Sequence, residues 1–322
     1  MTMTDLTVFA PAGVELRGDA LRRAKRRLGA LGFEVTLDES VRARHQRFAG
    51  DDDTRLATLY RVADSAPSIA LASRGGYGLT RLLDRIDWKR IARSVERGTR
   101  WVGYSDLTAL QLGLLAHGGG RTWCGPLACD DLGREEEPDE VTLGCFTEAM
   151  SGELEAIGFR TEAGLDGLDV KGTLWGGNLA MVNSLLGTKH FPRIKGGVLF
   201  LEDVNEHPYR VERNLLQLQQ AGVLDAQKAV VLGAFTDFRK SPLDRGYTLK
   251  SAIAQLRSVV TELRESLIAR DGSLAVLAAP LEVKRGVDVW GPPTDALPLM
   301  QRIKTQFDPN RILNPGRFIG GI

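Results

Sequence analysis

Apolar runs and helical periodicity alternate along the first 130 residues. Short apolar runs at 6–10, 33–37, 68–72 and 101–104 predict strands, and apolar spacing over 16–31, 54–62, 79–86 and 107–116 predicts helices. Strands separated by helices of this length predict a doubly wound parallel α/β sheet. In such sheets, binding and catalytic sites lie beyond the carboxyl ends of the strands.

The second half of the chain predicts a smaller α/β domain. Apolar runs at 197–201 and 229–235 predict strands, and the spacing at 179–186 and 209–221 predicts helices. We therefore predict an N-terminal domain at 1–150, a linker at 151–168 and a C-terminal domain at 169–258. A tail of different character follows at 259–322.

Composition narrows the class of protein. Hydrophobic residues make up 43% of the chain, charged residues 26%, and the net charge is +1, as in a globular protein with no electrostatic reason to bind nucleic acid. No apolar run reaches the roughly 18 residues of a membrane span, and the N-terminus lacks the pattern of a signal peptide. Cys124, Cys129 and Cys145 lack CxxC spacing, which argues against a disulfide framework or a zinc site. We expect a cytoplasmic protein.

Two predicted strand ends carry candidate chemistry. Ser105 follows the run 101–104 and precedes a helix, so it is either a nucleophile beside free helix N–H groups or a helix N-cap. The segment 74–78, Arg-Gly-Gly-Tyr-Gly, is either an anion-binding turn, an oxyanion hole or a plain tight turn. Neither segment matches the GxSxG, GxGxxG or GxxxxGK[ST] motifs.

Acidic residues and histidines supply the remaining candidates. Glu202 and Asp203 close the apolar run 198–201, where they either orient a catalytic base or cap the next helix. The chain has four histidines, at 45, 117, 190 and 207. None of them stands at an obvious position for the base of Ser105.

Five segments together resemble the serine LD-carboxypeptidases. They are 73–88 (SRGGYGLTRLLDRIDW), 101–112 (WVGYSDLTALQL), 172–188, 198–218 and 232–247. That family includes the muramoyl-tetrapeptide carboxypeptidases and the microcin-resistance peptidases, and the resemblance runs from residue 6 to about residue 258. It implies a flavodoxin-like or amidotransferase-like N-terminal domain, a swivelling-type α/β C-terminal domain that is incomplete at its end, and a homodimer.

The resemblance also implies a site and a reaction. Ser105 is the implied nucleophile, and Glu202 the carboxylate that orients a histidine. The implied oxyanion hole consists of the N–H groups of Gly76 (or Gly75) and Asp106. The implied substrate-binding residues are Arg74, Gly75, Trp175, Gly176, Gly177 and Asn178. The implied activity is that of a serine-type hydrolase, which removes the terminal D-alanine of an L,D-linked muropeptide in peptidoglycan recycling, without metal or cofactor.

The chain departs from the family in one catalytic residue. The family's histidine lies well after the position of Glu202, whereas this chain has no histidine after His207. His207 is only five residues from Glu202, which is unfavourable for triad geometry. We therefore expect impaired turnover. The alternative is a catalytically dead protein that binds muropeptides, or a fusion without function.

The tail at 271–322 resembles the C-terminal end of FAD-linked oxidases, particularly the FAD-binding subunit of glycolate oxidase. The segments VDVWG and LMQRIKTQFDPNRILNPGRF carry this resemblance, and the second predicts a helix at 297–307. A fragment of an FAD oxidoreductase is thus a third interpretation. The glycine-rich diphosphate loop of such oxidases is absent, so we expect no FAD binding. Without the family's closing strands, we expect the apolar residues at 230–235 to be exposed.

Overall fold

The computed structural model describes residues 4–157, 169–239, 241–245, 247, 273–276 and 302. It divides the chain into two compact units. Unit 1 comprises Met1–Ile157 and Ser184–Arg193, and unit 2 comprises Gly158–Asn183 and Ile194–Ile322. Apart from residue 302, which is helical, the predicted helix at 297–307 lies outside the described residues, as does most of the predicted linker at 151–168. The predicted domain boundaries stay predictions.

Unit 1 is built on a four-stranded parallel sheet. Its strands are β1 (Thr4–Phe9), β2 (Phe33–Leu37), β3 (Ile69–Ala72) and β4 (Arg100–Val102), in the order β2-β1-β3-β4. The chain runs outward from β1 to β2 and then crosses to the other side for β3. The loops that follow β1 and β3 therefore meet at the point where strand order reverses, which is where such sheets bind ligands. The predicted parallel α/β fold is confirmed.

In the described part of unit 1, five α-helices accompany this sheet. They are α1 (Gly18–Ala30), α2 (Asp52–Ser65), α3 (Trp88–Glu96), α4 (Leu107–Ala116) and α5 (Glu140–Ser151). Helix α3 was not predicted, although Asp87 caps it by accepting from the Arg90 N–H group. The helix predicted at 79–86 is instead two short 3-10 turns, Leu79–Arg81 and Leu83–Arg85. Gly78, with φ +149°, and extended Ile86 interrupt the helical backbone on either side of this segment.

The core of unit 1 covers both faces of the sheet. All four residues of β3 are buried, as expected for a central parallel strand. The core residues include Leu6, Val8, Leu28, Ile69, Leu71, Val102 and Phe146. A rigid sheet edge therefore supports the loops that follow β3 and β4.

Unit 2 holds a second four-stranded parallel sheet. Its strands are β5 (Leu174–Asn178), β6 (Val198–Val204), β7 (Ala229–Thr236) and β8 (Ser273–Val276), in that order, and its helices are α6 (Leu179–Leu185) and α7 (Pro208–Gln220). The expected exposure at 230–235 is wrong for Val230 and Leu232, which are 1% and 7% exposed. Strand β8 pairs with β7 at these positions, with Leu274 opposite Val230 and Val276 opposite Leu232.

In the described part of the chain, no helix combines the length and the hydropathy that a membrane span requires. Among the same residues, no group of three or more histidine, cysteine or acidic side chains is arranged to hold a metal ion. Cys124, Cys129 and Cys145 form no disulfide bonds.

Two histidines of unit 1 form a chain of contacts with a carboxylate. His117 Nε2 lies 3.1 Å from His190 Nδ1, and His190 Nε2 lies 3.1 Å from Asp84 Oδ1. The His117 ring also stacks on Trp88, with centroids 4.9 Å apart. Partial burial, followed by the nearby His190 and Lys189, lowers the pKa of His117. The hydrogen bond between the two rings requires one of its two nitrogens to be unprotonated, whereas the bond to Asp84 requires a proton on His190 Nε2.

We expect this contact to weaken in mild acid. A lowered histidine pKa means that the unfolded chain takes up the proton first, so the free energy of unfolding falls as pH drops through about 6.5 toward the folded pKa. His117→Gln keeps an N–H donor without a titrating charge and should reduce this pH dependence. Denaturant unfolding at several pH values checks it. A His117 signal that titrates at or above the ordinary histidine pKa in NMR would contradict the expectation.

Candidate active site

Ser105 occupies a strained turn between β4 and α4. Its φ is +59°, in the left-handed region that non-glycine residues avoid at a cost of about 1–3 kcal/mol. Gly103 precedes it with φ +154°, and a Cβ there would lie 2.7 Å from Leu107 Cδ2. The turn is thus sharp and closely packed. Such strand-to-helix turns raise a serine side chain above the sheet edge in hydrolases with a serine nucleophile.

The glycine loop at 74–78 lies directly against Ser105. A Cβ added to Gly75 would be 2.6 Å from Ser105 Oγ and 2.7 Å from Ser105 Cβ. The loop is fixed at the switch point of the sheet, where the Gly13 N–H group donates to Gly75 O at 3.1 Å and the Ser73 N–H group to Phe9 O at 2.7 Å. The two strand-end features found in the sequence therefore form one cluster.

The other residues of the loop have distinct environments. Gly76 is exposed and has φ +116°. A Cβ added to it would lie only 3.0 Å from Gly13 Cα. Arg74 donates from Nη1 to Val14 O at 2.9 Å, which ties the loop to the segment after β1. The oxyanion role of the Gly76 and Asp106 N–H groups and the substrate-binding role of Arg74 stay predictions.

Asp106 has a buried side chain that bridges the two segments. The residue is 1% exposed, and its Oδ2 accepts a hydrogen bond from the Leu79 N–H group at 2.9 Å. Burial raises the pKa of Asp106 to about 6, against the opposing effects of the Leu79 hydrogen bond and the charge of Arg55. The sequence implied a role for the backbone N–H group of Asp106 but none for its side chain.

In unit 2, Glu202 and Asp203 lie within β6 rather than after it. Asp203 is 4% exposed and accepts from Asn178 Nδ2 and from the Ala180 N–H group, both at 2.9 Å. Burial, and then the Asp203 charge, raise the pKa of Glu202 to about 7, although a hydrogen bond from Asn178 opposes this. The Glu202 carboxyl is thus half-buried and has a pKa close to neutral pH, as catalytic carboxylates often do.

We expect Glu202→Gln to stabilise the protein in a pH-dependent way. A raised carboxyl pKa makes ionisation costlier in the folded state, so the folding penalty is absent below about pH 4.5 and grows until the pH passes about 7. The variant should therefore melt higher than wild type at pH 8 and equally at pH 4. Thermal unfolding at both pH values tests this, and a variant that is less stable at pH 8 would refute it.

Two of the predicted substrate-binding residues have packing contacts inside unit 2. Trp175 is 5% exposed and donates from Nε1 to Gln227 Oε1 at 2.9 Å. Gly176 and Gly177 have φ +119° and +122°, and a Cβ on Gly176 would lie 2.0 Å from Phe200 O. Strand β5 therefore needs glycine at 176 for its approach to β6. Substrate binding by these residues and by Asn178 stays a prediction.

His207 has a carboxylate partner that the sequence did not reveal. Its Nε2 lies 3.0 Å from Asp244 Oδ2, and its ring lies 4.6 Å from that of Tyr209. Its Nδ1 is buried without a hydrogen-bond partner within the described residues. Asp244 stands 37 positions later, within the segment 232–247. His45, by contrast, is exposed in a bridge to Phe48.

Family models match most of this framework. The N-terminal domain model of LD-carboxypeptidases matches residues 6–125, and their C-terminal domain model matches residues 171–269. The chain belongs to the LD-carboxypeptidase family. The C-terminal domain model of FAD-linked oxidases matches residues 293–318, so the resemblance of the tail is also confirmed.

Relatives named as carboxypeptidases are about a third identical to this chain over the aligned residues. The chain is 31% identical to a putative carboxypeptidase of Rickettsia conorii over 214 residues, 65% of this chain and 66% of that protein. It is 33% identical to the murein tetrapeptide carboxypeptidase of Pseudomonas aeruginosa over 251 residues, 72% of this chain and 76% of that protein. The chain thus spans just under two thirds of the Rickettsia relative's length.

A solved structure of this family has a similar fold. The crystal structure of the muramoyltetrapeptide carboxypeptidase from Oxalobacter formigenes is 36% identical and superposes with a TM-score of 0.68. The match covers 86% of this chain and 88% of that one. The two-domain α/β fold implied by the resemblance is therefore confirmed.

Proposed function

We propose that this protein is a serine LD-carboxypeptidase that removes the terminal D-alanine from an L,D-linked murein tetrapeptide. The observation that carries the proposal is the left-handed turn at Ser105, with Gly75 packed against its hydroxyl. The substrate class comes from the murein and muramoyl tetrapeptides in the names of the relatives from Pseudomonas aeruginosa and Oxalobacter formigenes.

The proposed reaction passes through an acyl-enzyme. Ser105 Oγ attacks the carbonyl carbon before D-alanine and loses its proton to a base. The N–H groups of Asp106 and Gly76 (or Gly75) stabilise the tetrahedral oxyanion, whose collapse expels the protonated amine of D-alanine. Water then hydrolyses the ester. We assign Glu202 to the orientation of the base, on the resemblance of its segment to the family.

A histidine takes the proton in serine triads, and this chain has none after His207. His207 has a carboxylate partner in Asp244, which favours it as the residue to test. The absent family histidine favours the second candidate function, a protein that binds muropeptides without turnover.

The test follows D-alanine release from L-Ala-D-Glu-meso-diaminopimelate-D-Ala. The same protein is treated with a fluorophosphonate probe, and the labelled peptide is identified by mass spectrometry. Release together with a label on Ser105 supports the hydrolase, whereas tetrapeptide binding with neither signal supports the second candidate. His207→Gln, compared with His45→Gln at an exposed histidine, then shows whether release depends on the His207–Asp244 pair.

We further infer, from the resemblance alone, a cytoplasmic protein that acts on muropeptides in peptidoglycan recycling and forms a homodimer. The support is the murein substrate in the names of the relatives. Light scattering of the purified protein tests the dimer. Cell fractionation tests the location, and both results are independent of turnover.

A further inference from the structure

The Asp106 side chain takes an unusual partner for its position. An aspartate immediately before a helix normally accepts from an N–H group in the first turn of that helix. Asp106 precedes α4 but makes no such capping bond. Its Oδ2 accepts instead from the Leu79 N–H group, 27 residues earlier in the chain. The residue next to Ser105 is therefore bonded to the far end of the glycine loop.

This bond completes the fixation of the loop. Its start is held by the bonds of Ser73 to Phe9 and of Gly75 to Gly13. Its end is held by the bond from Leu79 to Asp106, and Leu79 is itself fully buried. Between the two ends, Gly75 lies against Ser105 Oγ. A shift at Leu79 would therefore change the spacing between the loop and the hydroxyl.

A buried arginine lies beneath the same loop. Arg55 is 0% exposed, pairs with Asp52, and lies over the Phe48 ring at 4.7 Å. A Cβ on Gly78 would lie 2.3 Å from Arg55 Nη1, so the loop rests directly on the guanidinium. The positive charge favours a carboxylate at Asp106 in an otherwise desolvated place.

We propose that Asp106, supported by the charge of Arg55, is a positioning residue that holds the loop 74–79 against the Ser105 hydroxyl. It acts through the loop backbone and not on the substrate. The proposal rests on the proposed function and adds to the backbone role already assigned to Asp106. It predicts that the acceptor oxygen matters more than the negative charge.

The test compares Asp106→Asn with Asp106→Ala. Asparagine keeps an oxygen for the Leu79 N–H group, so amide exchange at Leu79 and kcat should stay within about threefold of wild type. Alanine should accelerate exchange at Leu79 about tenfold. It should lower kcat about thirtyfold, with KM nearly unchanged, because sub-ångström misplacement is costly.

Asp139→Ala is the matched control. It removes an aspartate that accepts from the Thr142 N–H group at 2.8 Å at the start of α5, without touching the loop. Kinetics and exchange at Leu79 should then match wild type. If Asp106→Ala does not fold, Asp106→Ser, with a shorter side chain that cannot reach Leu79, takes its place in the comparison.

The outcomes separate this inference from the proposed function. A Leu79 amide that stays protected in Asp106→Ala overturns the inference, as does a freed amide with unchanged kcat or unchanged labelling of Ser105. If the Leu79 amide exchanges as fast in Asp106→Asn as in Asp106→Ala, the acceptor role of the Asp106 oxygen is contradicted. Amide exchange requires no turnover. A wild-type protein that releases no D-alanine therefore contradicts the proposed function alone. Amide exchange at Leu79 still tests whether Asp106 holds the loop.

Discussion

Ser105→Ala is expected to lower D-alanine release by about 10⁴-fold or more. The substitution removes the oxygen that would form the ester, and the remaining loop and N–H groups supply only residual catalysis. Alanine shares the strain of serine at φ +59°, so the variant should fold with nearly wild-type stability. Release is measured by a coupled D-amino-acid oxidase assay and by mass spectrometry of the tripeptide product.

Ser105→Gly distinguishes the backbone strain at position 105 from the catalytic role of the hydroxyl. Glycine adopts positive φ freely, so this variant should be as inactive as alanine but more stable by about 1 kcal/mol. Unfolding in denaturant measures the difference. Release from either variant at more than a tenth of the wild-type rate would show that Ser105 is not the nucleophile. Lower stability of the glycine variant would argue against a strained turn.

Gly75→Ala should lower kcat by about 10²- to 10³-fold while the protein stays folded. The added Cβ would lie 2.6 Å from Ser105 Oγ and 2.7 Å from Ser105 Cβ. Rotation about χ1 moves the hydroxyl but not the Cβ, so the loop itself must shift. That shift separates the loop from the position of the oxyanion. The rate of fluorophosphonate labelling at Ser105 should fall together with kcat.

Gly29→Ala provides the control for this change. Gly29 lies in α1, and a Cβ there meets nothing within 4 Å. Alanine at this helical position should raise stability by up to about 1 kcal/mol and leave kcat unchanged. If Gly75→Ala is as active as Gly29→Ala, the close contact between Gly75 and Ser105 does not exist in the working enzyme.

The sequence predicted the framework of unit 1 because periodicity reports burial. The apolar residues of β1, β3 and β4 are buried in the sheet, and β2 is only partly buried. Parallel connectivity placed Ser105 and the 74–78 loop at the same edge. The contact between Gly75 and Ser105 was beyond prediction. It depends on a left-handed backbone at Ser105, which serine rarely adopts and no local pattern signals.

Side-chain partners far apart in sequence were likewise beyond prediction. An aspartate before a helix is read as an N-cap, so the bond from Leu79 to Asp106 had no signal. The pairing of His207 with Asp244 joins residues separated by 37 positions. Helix α3 could have been found, since Asp87 stands as its N-cap and Ile91 and Val95 repeat at helical spacing.

The pairing of β8 with β7 affects how shortened forms of the chain would behave. The residues Ser273–Val276 come from the region whose sequence departs from the carboxypeptidase family, yet they supply the edge strand beside Val230 and Leu232. Any form that stops before residue 273 leaves the N–H and C=O groups along one side of β7 without their partner strand. An uncovered strand edge of this kind pairs readily with other chains, so such forms are expected to aggregate.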